Sequence, residues 1–103
     1  MKTEELEKLL AAETPVLVDF FSTTCDPCKW LLPILDELQA HFKNNLIIIK
    51  INVEQSNTLA HHYDIRSVPT LILFKKKKLL WRLPGFDTAP RMIALIEDHL
   101  AAY

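Results

Sequence analysis

The only two cysteines of the chain, Cys25 and Cys28, are separated by two residues. This spacing lets the two thiols form a disulfide that closes a small ring when the pair lies at the start of a helix. Amides and the dipole at a helix N-terminus stabilise a thiolate, the species that attacks a disulfide. We therefore expect a redox-active dithiol, with Cys25 more exposed in the preceding loop and Cys28 buried one turn into the helix, where it resolves a mixed disulfide.

A single Cys-x-x-Cys pair is also compatible with half of a zinc or iron–sulfur site, or with a structural dithiol. A metal site usually requires a second cysteine pair or suitably spaced histidines. The chain has no second pair, His61 and His62 are adjacent, and His41 and His99 lie far along the chain. The position of the cysteines between a strand and a helix favours redox chemistry, so we expect neither a metal nor a cofactor.

Two charged residues interrupt the two most apolar segments of the chain. Asp19 lies within residues 16–21, and Lys50 lies within residues 46–53. A buried carboxylate is costly, so it usually has a partner or a raised pKa. The alternative for both residues is an exposed position at the end of a strand.

Apolar periodicity and capping residues predict four helices and four strands in the order α-β-α-β-α-β-β-α. The predicted strands cover residues 16–21, 46–53, 70–74 and 79–83, and the predicted helices start near Thr3, Asp26, Ser56 and Asp87. Alternation of strands and helices predicts parallel pairing, and the final hairpin makes the sheet mixed. The expected fold is a single α/β domain over residues 1–103. Its four-stranded mixed sheet has helices on both faces and buries both apolar strands.

Composition excludes several functional classes. Gly85 is the only glycine, which argues against glycine-rich phosphate and dinucleotide loops. A formal net charge of −1 gives no basis for nucleic-acid binding, and no segment is apolar enough to suggest a membrane span. The acidic residues near the N-terminus are unlike a secretory signal, so a cytoplasmic location is expected.

Five blocks of the sequence, in order and with similar spacing, resemble the thioredoxin family. They are residues 16–21, 25–29, 32–38, 49–53 and 63–70. The resemblance implies a thioredoxin-like fold and a monomeric protein-disulfide reductase without a cofactor. It also implies disulfide-containing client proteins and an upstream reductase such as thioredoxin reductase. The alternative is a thioredoxin-like binding module with little or no redox turnover.

The resemblance also implies catalytic roles for four residues. Cys25 corresponds to the family's nucleophile and Cys28 to its resolving thiol. Asp19 corresponds to a buried aspartate that helps to move a proton at the resolving cysteine, and Lys50 resembles the lysine found near that aspartate.

A substrate-binding region is implied in the same way. Pro69 resembles the family's cis-proline, and the backbone of Val68 would pair with an extended substrate segment. Gly85 matches a glycine beside the active site, where a side chain would crowd the partner. Phe86 would then belong to the docking surface, or alternatively to the core.

The sequence departs from the family pattern around the cysteines. Asp26 and Pro27 lie between them, and Asp26 replaces the usual glycine. Its negative charge predicts a raised Cys25 pKa and a more reducing disulfide. Thr24 replaces the usual tryptophan, and Trp30 is either a substitute aromatic surface or part of the core.

Two further departures lie away from the cysteines. The lysine run at residues 75–78 replaces a glycine-containing turn and is expected to be solvated and to protect an edge. The family's first strand is expected to be absent, because nothing before Thr3 resembles a strand.

Overall fold

The computed structural model describes residues 1–103, in which helices cover both faces of one four-stranded sheet. The elements in chain order are α1 (Thr3–Leu10), β1 (Val16–Phe21), α2 (Asp26–Phe42), β2 (Ile47–Asn52), α3 (Asn57–His62), β3 (Thr70–Lys75), β4 (Lys78–Pro84) and α4 (Ala89–Ala101). The predicted element order is confirmed. A short 3-10 turn at Lys43–Asn45 replaces a predicted loop, and none of the helices is long and apolar enough to cross a membrane.

Alternating side chains of the strands divide the core into two layers. One layer packs α1 and α3 against the sheet, with Leu6, Leu10 and Leu59 meeting the strand residues Val16, Val18, Phe20, Ile51, Ile72 and Phe74. The other layer packs α2 and α4 against Leu17, Leu71 and Leu73. Asp19 is two residues after Leu17 in β1, so its carboxylate lies on the same side as α2.

The strand order is β2-β1-β3-β4, and only β1 and β2 run parallel. The expectation of parallel pairing is therefore wrong for β3, which runs antiparallel to β1. The connection after β2, residues 53–69, contains one short helix of six residues and does not return along the sheet. The chain enters β3 at the edge where β1 ends, with Thr70 opposite Phe20.

The second apolar segment forms an edge strand, and the expectation that it is buried on both faces is wrong. β2 pairs only with β1. Ile51 is buried, but Ile47 and Lys50 are exposed and the remaining residues of the strand are half-buried. An apolar run of this length does not distinguish an inner strand from an edge strand, because that depends on which strands pair.

The lysine run forms the turn of the β3–β4 hairpin. Lys76 and Lys77 have φ angles of 49° and 68°, a left-handed conformation in which most residues are strained. The Lys77 amide donates to the Leu10 carbonyl at 2.8 Å, and the Lys76 ammonium lies 3.3 Å from the Glu13 carboxylate. The hairpin turn is thereby attached to the end of α1.

Candidate active site

Cys25 and Cys28 form a disulfide at the N-terminus of α2. Cys25 is the N-cap residue, and its Sγ accepts a hydrogen bond of 3.1 Å from the Cys28 amide. The Cys28 amide, which has no partner within the helix, therefore points at the sulfur of Cys25, where it would stabilise a thiolate. Cys25 is 9% exposed and Cys28 is 4% exposed. Cys25 is thus the more exposed of the two, as predicted, but the difference in exposure is small.

Asp26 and Pro27 occupy the first two positions of α2, between the cysteines. The Asp26 side chain is 77% exposed, and one carboxylate oxygen lies 3.8 Å from the Lys29 ammonium. The negative charge beside Cys25 is therefore partly balanced by Lys29 and screened by solvent.

Asp19 is a buried carboxylate in the middle of the sheet, with 1% of its surface exposed. Neither of its oxygens has a hydrogen-bond partner. Burial raises the pKa of Asp19 from 3.8 to about 6, and the positive charge of Lys50 opposes this shift. Lys50 lies opposite Asp19 in the register of β1 and β2, but it is exposed at the sheet edge.

A cavity of about 350 Å³ connects Asp19 with Cys28, the second cysteine of the pair. Asp19, Cys28, Lys29, Leu32 and Lys50 all contribute to its wall. The carboxylate and the second cysteine therefore face a common space that also contains two cationic side chains. The sequence places the two charged residues on separate strands, and only the fold brings them to the same cavity as the thiol.

The loop before β3 lies beside the site, and the Val68–Pro69 peptide bond is cis. Pro69 is buried and Val68 is half-buried. The Gly85 amide donates to the Pro69 carbonyl at 2.7 Å, so the glycine is adjacent to this loop. An open groove of about 330 Å³ runs past Val68 and is also lined by Thr24 and Arg66.

Gly85 has a φ of +90°, a conformation that residues with a side chain rarely adopt. A Cβ atom at this position would meet nothing within 4 Å in the folded chain. The backbone conformation alone therefore explains why residue 85 is glycine, whether or not a partner protein binds beside it. The sequence interpretation, which invoked crowding alone, missed this reason.

The Thioredoxin family model matches residues 1–98. The chain belongs to the thioredoxin family. It is 39% identical over 92 residues to thioredoxin Y1 of Arabidopsis thaliana, a chloroplastic protein, covering 89% of this chain and 54% of that protein. It is 35% identical to a thioredoxin-like protein of Synechocystis, over 88% of this chain and 87% of the relative. The chain thus spans about half the length of the plant relative.

A solved structure supports the same assignment. A mutant thioredoxin from Halobacterium salinarum superimposes with a TM-score of 0.85 at 29% identity, covering 96% of this chain and 86% of that one. The four-stranded mixed sheet with helices on both faces is therefore a thioredoxin-like fold.

Two aromatic residues of this thioredoxin family member have different surroundings. Trp30 is 63% exposed on α2, so its interpretation as a core residue is wrong. Phe86 is half-buried and packs against the core layer beneath α2 and α4. Trp30 is thus an exposed aromatic side chain one turn after Asp26, on the helix that contains the cysteines.

The sequence analysis missed two residues that hold the loop before Cys25. The amide and the hydroxyl of Thr23 both donate to Oε1 of Glu54, each at 3.1 Å. Glu54 follows β2, and its own amide donates to the Asn52 side chain at 2.8 Å. The two residues are 31 positions apart, so no local sequence signal indicates their contact.

Cys25 and Cys28 do not belong to a cluster of side chains that could bind a metal ion. The structure contains no group of three or more His, Cys, Asp or Glu side chains that could hold a metal ion. His61 and His62 lie at the end of α3, whereas the cysteines lie at the start of α2.

Proposed function

We propose that the protein is a thiol-disulfide oxidoreductase that reduces disulfide bonds in other proteins through Cys25 and Cys28. One observation carries the proposal. The two cysteines form a disulfide at a helix N-terminus, and the Cys28 amide donates to the Cys25 sulfur. A sulfur in this position is stabilised as a thiolate, and a thiolate initiates disulfide exchange.

In the first step, the Cys25 thiolate attacks one sulfur of the substrate disulfide. A bond forms between Cys25 and that sulfur, and the other substrate sulfur leaves as a thiolate and takes up a proton. The bond from the Cys28 amide to Cys25 Sγ, 3.1 Å long, would stabilise the attacking thiolate before the step.

In the second step, Cys28 loses its proton and attacks Cys25. The Cys25–Cys28 disulfide forms, and the second substrate sulfur leaves as a thiolate. The two electrons of the dithiol thereby reduce the substrate. Asp19 is suited to accept the Cys28 proton because its pKa of about 6 lies near neutrality. The shared cavity has room for water that would carry this proton, and Lys50 favours the ionised carboxylate.

Substrate would bind across the groove beside Val68 and Pro69. An extended segment of substrate could pair with the backbone of Val68 in the groove that Thr24, the neighbour of Cys25, also lines. The Gly85 amide donates to the Pro69 carbonyl, so Gly85 and its neighbour Phe86 adjoin this loop and would complete the docking surface.

The oxidised protein must be reduced again by an upstream donor. We propose a thioredoxin reductase in this role and disulfide-containing proteins as clients. We also propose a reducing compartment, such as the cytoplasm, because a dithiol donor must be kept reduced to contribute to cell redox homeostasis.

Reduction of insulin disulfides tests the proposed activity. The wild-type protein should reduce insulin with a chemical or enzymatic electron donor, and Cys25→Ser should abolish turnover. Cys28→Ser should retain the first step and accumulate mixed disulfides through Cys25. Absence of turnover in the wild type, together with absence of trapped clients, would contradict the proposal.

The second candidate function is a binding module with weak turnover, which Thr24 and Asp26 beside Cys25 favour. Binding of a client by both the wild type and Cys25→Ser, without insulin reduction by either, would support this function. Cys25→Ser should first be shown to fold like the wild type by circular dichroism.

A further inference from the structure

Arg82 of β4 contacts the segment that leads from α3 towards the proposed substrate groove. It lies opposite Ile72 of β3, and Ile72 belongs to the core layer beneath α1 and α3. Cross-strand partners project from the same face of a sheet, so the side chain of Arg82 also lies on the side of α3. There its guanidinium donates a hydrogen bond to the carbonyl of Tyr63, 19 positions earlier in the chain.

The Tyr63 carbonyl is a backbone acceptor that α3 leaves unsatisfied. Tyr63 directly follows this helix, which ends at His62, and it is half-buried. No backbone amide donates to its carbonyl. Carbonyl groups at the end of a helix require a partner from outside the helix, and a charged donor makes a stronger hydrogen bond than a neutral one. Arg82 therefore supplies a contact that the neighbouring residues of the chain do not.

The 64–69 loop connects this contact with β3 and includes Val68. It begins at Asp64, whose φ of 54° is a left-handed conformation that is unfavourable for a residue with a side chain. Next to it, the Ile65 amide donates to the Ala60 carbonyl at 2.8 Å. The loop therefore starts with an unfavourable backbone turn, which persists only because surrounding contacts maintain it.

β4 and the residue that follows it hold both ends of this loop. Arg82 fixes the start through Tyr63, and the Gly85 amide donates to the Pro69 carbonyl at 2.7 Å at the end. Only residues 64–68 separate these two fixed points. A displacement of the first point would therefore move the backbone groups of Val68.

We propose that Arg82 is a positioning residue for substrate binding, which acts by fixing the start of the 64–69 loop. The inference rests on the proposed reduction of protein disulfides. A peptide segment of substrate that pairs with Val68 needs this backbone in one place, because a hydrogen bond weakens steeply when its geometry is distorted. A small disulfide without peptide groups makes no such pairing. Loss of the Arg82 contact should therefore slow the reaction with a protein disulfide and not the reaction with a small one.

Oxidation of the reduced protein by two different disulfides tests this role. The substrates are insulin and hydroxyethyl disulfide, which is small, uncharged and free of peptide groups. In each reaction one disulfide takes two electrons and two protons from the dithiol and becomes two thiols. Acid quenching followed by alkylation of the remaining thiols gives the second-order rate constant.

The Arg82→Met variant keeps an apolar stem and removes the donor. It should lower the rate constant for insulin about fivefold, since hydrogen bonds to charged groups are worth more than neutral ones. The rate constant for hydroxyethyl disulfide should stay at the wild-type value. Arg82→Lys keeps a charged donor and should restore most of the rate with insulin. Lys78→Met is the matched control, because it removes the same charge from the exposed start of β4, and it should react like the wild type with both disulfides.

Equal slowing of both reactions in Arg82→Met would overturn the inference, because the damage would then lie at the cysteines or in the fold as a whole. Wild-type reactivity of this variant with insulin, or equal slowing by Lys78→Met, would overturn it as well. A wild-type protein that reacts with hydroxyethyl disulfide but not with insulin would instead contradict the proposed function, and the inference with it. The two failures are therefore distinguishable.

Amide hydrogen exchange tests the effect of Arg82 on the loop directly. The Ile65 amide, which is bonded to the Ala60 carbonyl, should exchange faster in Arg82→Met than in the wild type or in Lys78→Met. Arg82→Lys should return the exchange rate close to the wild-type value. The amides of β1, at the centre of the sheet, should keep their wild-type rates, which would show that the change is local. An Ile65 amide that exchanges at the wild-type rate in Arg82→Met would overturn the inference.

Discussion

Asp19 and Lys50 lie opposite each other in the parallel register of β1 and β2, yet the carboxylate is buried and the lysine is exposed. The oxygens of Asp19 accept no hydrogen bond. The charge of Lys50 offsets only part of the cost of burial, so the pKa of Asp19 stays raised at about 6. The fold therefore keeps a destabilising carboxylate beside Cys28, which is expected where a group has a role in proton transfer.

Asp19 should make the protein less stable as pH rises. Its pKa is 3.8 in the reference state and about 6 in the folded chain, so the folded chain binds the proton more tightly. The stability from this proton is fully present below pH 3.8 and is lost as pH rises through about 6. Asp19→Asn should remove this loss and stabilise the oxidised protein at pH 8 by up to about 3 kcal/mol.

Urea unfolding at several pH values measures this effect. The gain from Asp19→Asn should shrink towards zero near pH 4. Asp98→Asn, the same change at an exposed aspartate of α4, serves as the matched control for the substitution itself. The same gain at pH 4 and pH 8 would show that ionisation of Asp19 is not its cause.

Asp26 should make the disulfide more reducing, although the effect should be small. Its charge disfavours a thiolate at Cys25, but the side chain is exposed and lies near Lys29. Asp26→Asn should raise the reduction potential by roughly 10 to 20 mV, because exposed charge interactions are worth less than about 1 kcal/mol and 30 mV equals about 1.4 kcal/mol.

Equilibration with glutathione buffers would measure the reduction potential. Lys29→Gln should shift the potential in the opposite direction, since it removes the nearby positive charge. If Asp26→Gly changes the potential and Asp26→Asn does not, the cause is the side chain at the helix start rather than its charge.

Glu54 should position the loop that precedes Cys25. Glu54→Ala removes the acceptor for both donors of Thr23 and should lower kcat/KM for insulin several-fold, because the approach to Cys25 becomes less ordered. Glu54→Gln keeps an oxygen acceptor and should restore most of the rate. A purely electrostatic role would instead make Glu54→Gln as slow as Glu54→Ala.

Lys77 should be a site where glycine stabilises the fold. Its φ of 68° is unfavourable for a residue with a side chain. Lys77→Gly should raise the free energy of unfolding by about 1 kcal/mol, and it leaves the contact between Lys76 and Glu13 in place. In urea unfolding, Lys78→Gly, a change at the first strand position, should have the opposite sign. A loss of stability in Lys77→Gly would contradict this account.

The sequence by itself determined the local features of this protein. Cys25 and Cys28 at a strand-to-helix junction indicated the chemistry, and periodicity predicted the order of helices and strands. The lysine run at residues 75–78 was interpreted as a turn or an edge, and its middle residues, Lys76 and Lys77, form the turn. These features depend on residues close together in the chain, so their types and spacing carry the information.

Only the tertiary structure decided which distant groups meet. It placed β2 at the sheet edge and made β3 antiparallel to β1. It also placed Glu54 beside Thr23, and it showed the cavity that Asp19 shares with Cys28, a proximity that the family resemblance implies but that no local pattern predicts. Each result depends on which strands pair and in which register, and that choice minimises the free energy of the whole chain. No short segment of sequence contains that information, because each of these contacts joins residues that are far apart in the chain.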